Sequence, residues 1–153
     1  MTDALGVVVP AFRPDVKRLS AYTNSLARQF STAALRIELD SPRPGIEAAL
    51  QDLPAEVATS PYRRGKGAAI TAGFEALAAD VDVLLFVDAD GSTPVDEAAR
   101  VVQPLYDQQA GLAAGSRRHP DAEVLNHQTF ARRRLGDAFA WAARRLLNTG
   151  LYD

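Results

Sequence analysis

Short apolar runs alternate with amphipathic segments along most of this chain, and that alternation constrains its fold more than any other feature. Gly6 to Val9 is an apolar run stopped by Pro10. Behind it Val16, Leu19, Thr23, Leu26 and Phe30 recur at three- and four-residue spacing, which predicts a strand and then a helix. Ala34 to Leu39 reads as a second strand, Ile46, Ala49, Leu50 and Leu53 as a short helix, and Glu56 to Thr59 as a third, brief strand. After Gly65, the stretch AAITAGFEALAA sets Ile70, Phe74 and Leu77 on one helical face. Val83 to Val87 follows as a continuous apolar strand, the pattern of a central strand buried on both faces. Thr93, Pro94 and Asp96 read as N-cap, first-turn proline and first-turn acid of a helix carrying Val95, Ala98, Val102 and Leu105. Leu112 to Ala114 predicts a weak strand and Thr129 to Leu147 a long final helix. Strands alternating with helices across short connections imply one α/β domain over 1–153, a mostly parallel sheet with helices on both faces.

Composition narrows the function classes. The chain has 153 residues, 47% hydrophobic and 24% charged, enough for one domain with a core. A net charge of -2 gives no footprint for nucleic acid, although Arg132, Arg133 and Arg134 form a local basic run. With no cysteine, disulfides, thiolate zinc sites and thiol catalysis are excluded, and two histidines leave little for a histidine-built metal site. The N-terminus MTDALGVVVP lacks a basic segment and a long apolar one, and no stretch approaches the roughly 20 apolar residues that span a bilayer. The expected location is cytoplasmic.

Three segments carry chemistry. The run VLLFVDAD ends on Asp88 and Asp90, which an extended backbone would point to the same side, beyond the carboxyl end of a strand where ligands collect in such sheets. Two carboxylates about 4 Å apart repel by roughly 4 kcal/mol at an effective dielectric of about 20, so the pair asks for Mg²⁺, Mn²⁺ or hydroxyl donors between them. The alternative is a solvated turn opened by Asp88, Asp90 and Gly91. The segment PYRRGKGAAITAGF sets two glycines around Lys66 ahead of a helix, which reads either as a phosphate cradle or as a basic surface loop, and it is not a Walker loop. Gly115-Ser116-Arg117-Arg118 offers a guanidinium fork for a phosphate, or is a charged turn.

Taken in order, these segments resemble the inverting GT-A glycosyltransferases of family 2, especially the polyprenyl- or dolichyl-phosphate glucosyl- and mannosyltransferases. VVVPAF at Val7 to Phe12 resembles the opening strand and nucleotide-binding turn, and RGKGAAITAGF at Arg64 to Phe74 the basic glycine loop. LLFVDADGSTP contains the D-x-D motif, AGSRRHPD matches the G-S-R segment, and ARRRLGDAFAWAARRLLNTGLYD is similar to the helix that precedes the acceptor site. The chain departs from the family pattern in carrying Phe12-Arg13-Pro14-Asp15 where Asn-Glu usually follows an aromatic residue. It also has Leu39-Asp40-Ser41-Pro42 where Asp-Asp-Gly-Ser is usual. The family continues past the position of Asp153 into acceptor contacts, so the resemblance implies a shortened chain: either an enzyme or a nucleotide-sugar-binding module without turnover.

The resemblance implies transfer of a hexose from a nucleotide diphosphate sugar, UDP-glucose or GDP-mannose, to a lipid phosphate at the membrane surface. It places the donor against Pro10, Phe12, Asp40, Lys66 and Asp88. Asp88 and Asp90 become the ligands of Mg²⁺ or Mn²⁺ and, with Arg117, the catalytic residues. Arg132 to Arg134 would draw in the acceptor phosphate, and Asp153 is the late carboxylate available for an alcohol acceptor. Finally, Phe130, Leu135, Phe139, Trp141, Leu146 and Leu147 give the last helix enough apolar surface to predict a two-fold dimer through it.

Overall fold

A computed structural model of the chain describes residues 4–116. Four strands, β1 (Leu5–Ala11), β2 (Ala34–Asp40), β3 (Glu56–Ser60) and β4 (Val83–Phe86), alternate with helices α1 (Val16–Gln29), α2 (Ile46–Leu50), α3 (Lys66–Leu77) and α4 (Val95–Tyr106). The strands form one parallel sheet in the order β3-β2-β1-β4. The α/β class expected from the alternation is the class observed. Because β2 and β3 are laid down on one side of β1 and β4 on the other, the winding reverses at β1. A crevice opens outside the carboxyl ends of the strands at such a point.

Alternation along the strands separates two unlike faces. Val7, Val9 and Ala11 of β1, Leu35, Ile37 and Leu39 of β2, and Val83 and Leu85 of β4 share a buried cluster with Leu19, Tyr22 and Leu26 of α1, Leu50 of α2, and Ala98 and Val102 of α4. Each fully buried leucine or isoleucine here contributes about 1.5–3 kcal/mol through loss of apolar surface from water. The intervening residues point the other way, toward α3. On that face Val8 meets Gly73, where an added Cβ would stand 2.5 Å from Val8 Cγ1, and helix and sheet therefore approach more closely than any side chain at 73 allows. The same face carries an ion cluster: Arg36 Nε lies 2.6 Å from Glu38 Oε1, and Arg36 Nη1 reaches Glu56 Oε1. Glu38 is only 6% exposed.

Several expectations are corrected by the structure. The first strand runs through Pro10, which pairs in register with Glu38. Alternate residues of a parallel strand direct their backbone groups to the same neighbour, and Val8 accepts from the Val87 amide, the last bond toward β4. Pro10 therefore faces the side where that ladder has ended, a place in a sheet that tolerates a residue without an N–H. In α3 the buried positions are Ala69, Gly73 and Leu77, one residue round from the Ile70–Phe74–Leu77 stripe, because close approach to the sheet selects small side chains over large ones. β4 is not buried on both faces. Val83 and Leu85 are covered while Phe86 is 45% exposed, and β4 stands at the end of the sheet among the described residues rather than at its centre. Pro94, not Thr93, occupies the cap position of α4. No strand forms at Leu112–Ala114, where Leu112 is exposed.

The predicted helix over 129–147, with Trp141, Arg132, Arg133, Arg134 and the dimer it would mediate, lies outside the described residues, as do Arg117 and Asp153. Among the described residues no helix is long and apolar enough to cross a membrane.

Candidate functional site

A cleft of about 250 Å³ opens at the carboxyl ends of the strands, lined by Pro10, Phe12, Asp40, Lys66, Asp88 and Asp90 together with three alanines. Every donor-site and metal-site residue singled out in the sequence, apart from Arg117, is in that set. The parallel sheet explains the convergence: β1, β2 and β4 all deliver their ends to one edge, and α3 begins there. A larger depression of about 610 Å³ lies beside α2 and β3, lined by Gly45, Glu47, Ala48, Gln51, Ala55 and Val57. It has a lone carboxylate, no cation and no aromatic ring, and the chemistry belongs to the smaller cleft.

Asp40 is 4% exposed, and both of its oxygens are engaged. Oδ1 accepts the Arg64 amide at 2.7 Å and Oδ2 the Gly65 amide at 2.8 Å. These N–H groups stand just ahead of α3, where backbone donors have no helical partner and negative charge is favoured. Gly65 holds φ 88° there, a conformation that costs glycine least. The buried carboxylate at the end of β2 thus fixes the basic loop and the start of α3. Lys66, the first residue of α3, is thereby aimed across the cleft. Its ammonium forms an ion pair with Asp88 Oδ1 and lies 5.7 Å from the centre of the Phe86 ring.

The two aspartates do not sit on extended backbone. β4 ends at Phe86, and the chain turns through Asp88 to Gly91, the Gly91 amide donating to the Asp88 carbonyl at 3.2 Å. Asp90 Oδ1 accepts the Ser92 amide at 2.9 Å. That bond, with help from the charge of Arg18, holds the Asp90 carboxyl below the usual carboxylate range despite partial burial. Both aspartates nonetheless line the same cleft.

Tyr22 of α1 carries this turn and was not singled out in the sequence, although it shares the helical period of Leu19 and Leu26. Its hydroxyl donates to the Thr93 carbonyl at 2.6 Å, and its ring lies under Gly91. Burial, and then the negative charges of Asp88 and Asp90, push the phenol up to about 12. Phe12, 42% exposed at the rim, is flanked by guanidinium carbons of Arg63 at 4.5 Å and Arg13 at 5.1 Å from the ring centre. Arg63 comes from the basic loop, so Phe12 and that loop are tied together by cation–π contact.

The donor set sorts the possible ligands. Among the described residues no group of three carboxylate, imidazole or thiolate side chains is placed to enclose a metal. Two carboxylates on one turn are what Mg²⁺ takes from a protein when phosphate oxygens and water complete its octahedron. An ammonium, the start of a helix and two arginines around a half-exposed aromatic ring supply complementary features for an anionic, ring-bearing molecule.

No curated protein matches the chain closely enough to count as a relative. A family model described as Glycosyl transferase family 2 matches residues 6–144, a span that includes every residue of the cleft. With that match extending over most of its length, the chain belongs to glycosyl transferase family 2.

Proposed function

We propose that the chain transfers a hexose, with inversion, from UDP-glucose or GDP-mannose to the phosphate of a polyprenyl or dolichyl lipid. The observation that carries this reading is the convergence of Asp88, Asp90, Lys66, Asp40 and Phe12 on one cleft at the strand ends. An aromatic ring, a helix start and charged groups in one cleft are features that a nucleoside diphosphate would use. Phe12 with Pro10 and Asp40 would border the base, and Asp88 the ribose or phosphate. Lys66 would bind the diphosphate, joined by Arg117, which lies outside the described residues. Asp88 and Asp90 would hold Mg²⁺ or Mn²⁺, which supplies charge stabilisation to the departing diphosphate.

A phosphate oxygen of the acceptor forms the new bond at the anomeric carbon while the bond to the diphosphate oxygen breaks and its electron pair leaves with the nucleotide. A lipid phosphate is ionised at neutral pH, so the step needs no strong general base, and the chain's contribution is orientation and positive charge. The test is transfer of labelled hexose from each donor to polyprenyl phosphate in detergent, with the anomer of the product determined, alongside calorimetric binding of donor with and without Mn²⁺. Inverted lipid-linked product supports the reading. Donor binding without transfer selects a nucleotide-sugar-binding module instead, and failure to bind either donor refutes both.

A further inference from the structure

The ion pair between Lys66 and Asp88 has a consequence for how the cleft loads. Lys66 is placed on the aspartate by the Asp40 clamp on the two residues before it, which fixes the start of α3 that Lys66 opens, and by the Phe86 ring near its ammonium. The two side chains remain 55% and 44% exposed, so the pair is screened and readily exchanged. A divalent cation on Asp88 would compete with the ammonium, because at about 5 Å the two positive charges repel even in water-like surroundings.

We propose that Lys66 is the resident counter-ion of the aspartate turn and is exchanged for a divalent cation when the diphosphate arrives. The inference rests on the reading of Asp88 and Asp90 as cation ligands. Without diphosphate, Lys66 satisfies Asp88 and keeps metal affinity low. With diphosphate, the ammonium moves to phosphate oxygens and vacates Asp88, so metal and nucleotide each favour the other's binding, as reciprocal linkage requires. No covalent bond changes in the exchange.

The sign of the effect separates this arrangement from a simple phosphate-binding lysine. A lysine that only binds phosphate, without pairing to Asp88, should change metal binding in the absence of nucleotide by no more than about twofold. A resident counter-ion suppresses it. The experiment titrates the full chain with Mn²⁺ alone and reads free aqueous Mn²⁺ by electron paramagnetic resonance, for wild type, Lys66→Met, Lys66→Gln and Arg64→Met. Circular dichroism confirms that each variant is folded, which the exposure of Lys66 favours.

Both Lys66 variants should bind Mn²⁺ roughly five- to tenfold more tightly than wild type, the size of a lost unit charge nearby in a screened site. Arg64→Met should stay within about twofold, since Arg64 contributes its backbone amide to Asp40 and forms no pair with Asp88. Unchanged or weaker Mn²⁺ binding in the Lys66 variants overturns the proposal, as does an equal gain in Arg64→Met, which would make the effect one of net charge. Binding undetectable in every protein also overturns it. If nucleotide sugar still requires Mn²⁺ while Mn²⁺ alone is indifferent to Lys66, the exchange fails and the functional reading stands.

Discussion

Removing the Asp40 carboxylate should destabilise the ligand-free protein, because the clamp on the basic loop exists before any donor binds. In Asp40→Ala the amides of Arg64 and Gly65 lose acceptors at 2.7 and 2.8 Å. A hydrogen bond to an ionised group contributes about 1.5–3 kcal/mol net, so two set an upper bound of roughly 3–6 kcal/mol. Arg64 is exposed and Gly65 half-buried, which lets water replace part of what is lost, and removing a carboxylate that is 4% exposed also relieves its desolvation. The expected cost is about 2–4 kcal/mol, or a fall in Tm of about 5–15 °C for a chain of this size. Asp40→Asn keeps one acceptor oxygen and turns an NH₂ group toward the other amide, so it should fall between wild type and alanine. Urea unfolding gives the free energies, and hydrogen exchange at the Arg64 and Gly65 amides gives the local effect, protected in wild type and fast in Asp40→Ala. An Asp40→Ala protein within about 1 kcal/mol of wild type, with both amides still protected, would show that the carboxylate does not hold the loop.

Gly73→Val should cost about 1–3 kcal/mol or more by overpacking, since even a Cβ at this position falls 2.5 Å from Val8; a stability equal to wild type in urea would contradict the close helix–sheet approach. Tyr22→Phe leaves the Thr93 carbonyl without its donor and should cost about 1–2 kcal/mol, measured by the same unfolding curves. It should also change the alkaline limb. The folded phenol is raised to about 12 from 10, so its contribution is complete below pH 10 and is lost as pH climbs from 10 to 12, a decline that the phenylalanine variant should lack. Asp90→Ala should abolish Mn²⁺-dependent thermal stabilisation by nucleotide sugar, whereas Asp90→Asn, which keeps an oxygen ligand, should weaken it; unchanged metal dependence in the alanine variant excludes Asp90 as a ligand.

Order and spacing in the sequence were enough for the alternation of the elements up to α4, while the full set of cleft residues, Pro10, Phe12 and Asp40 among them, came from the family resemblance; parallel strands then send their ends to one edge whatever their detailed packing. Facing within elements was less legible. The buried stripe of α3 consists of alanine, glycine and one leucine, and a reading weighted to large apolar residues rotates it by one position. The backbone pairings were beyond the sequence. Asp40 reads as the end of a strand, and nothing local reveals that its oxygens are taken by amides 24 and 25 residues onward. Tyr22 likewise meets Thr93 across 71 residues, a contact that periodicity admits but does not identify. At Asp88 the sequence offered both an extended end and a turn through Gly91, and the turn is the backbone observed, since Gly91 permits the chain to fold back one residue after Asp90.

The Arg36–Glu38–Glu56 cluster secures the register of the sheet. A one-residue slip of β2 would exchange its faces and drive the Arg36 guanidinium and the Glu38 carboxylate among Leu19, Leu26 and Leu50, at a penalty of several kcal/mol for each ion. The ion pairs stabilise the correct sheet only modestly; their larger effect is to make the shifted one inaccessible. Asp40 lies on the same strand, two residues beyond Glu38 and on the same side. The charges in the middle of β2 therefore guarantee that the carboxylate at its end faces the loop it must hold, and a fault in pairing cannot yield a folded protein with its cleft turned inside out.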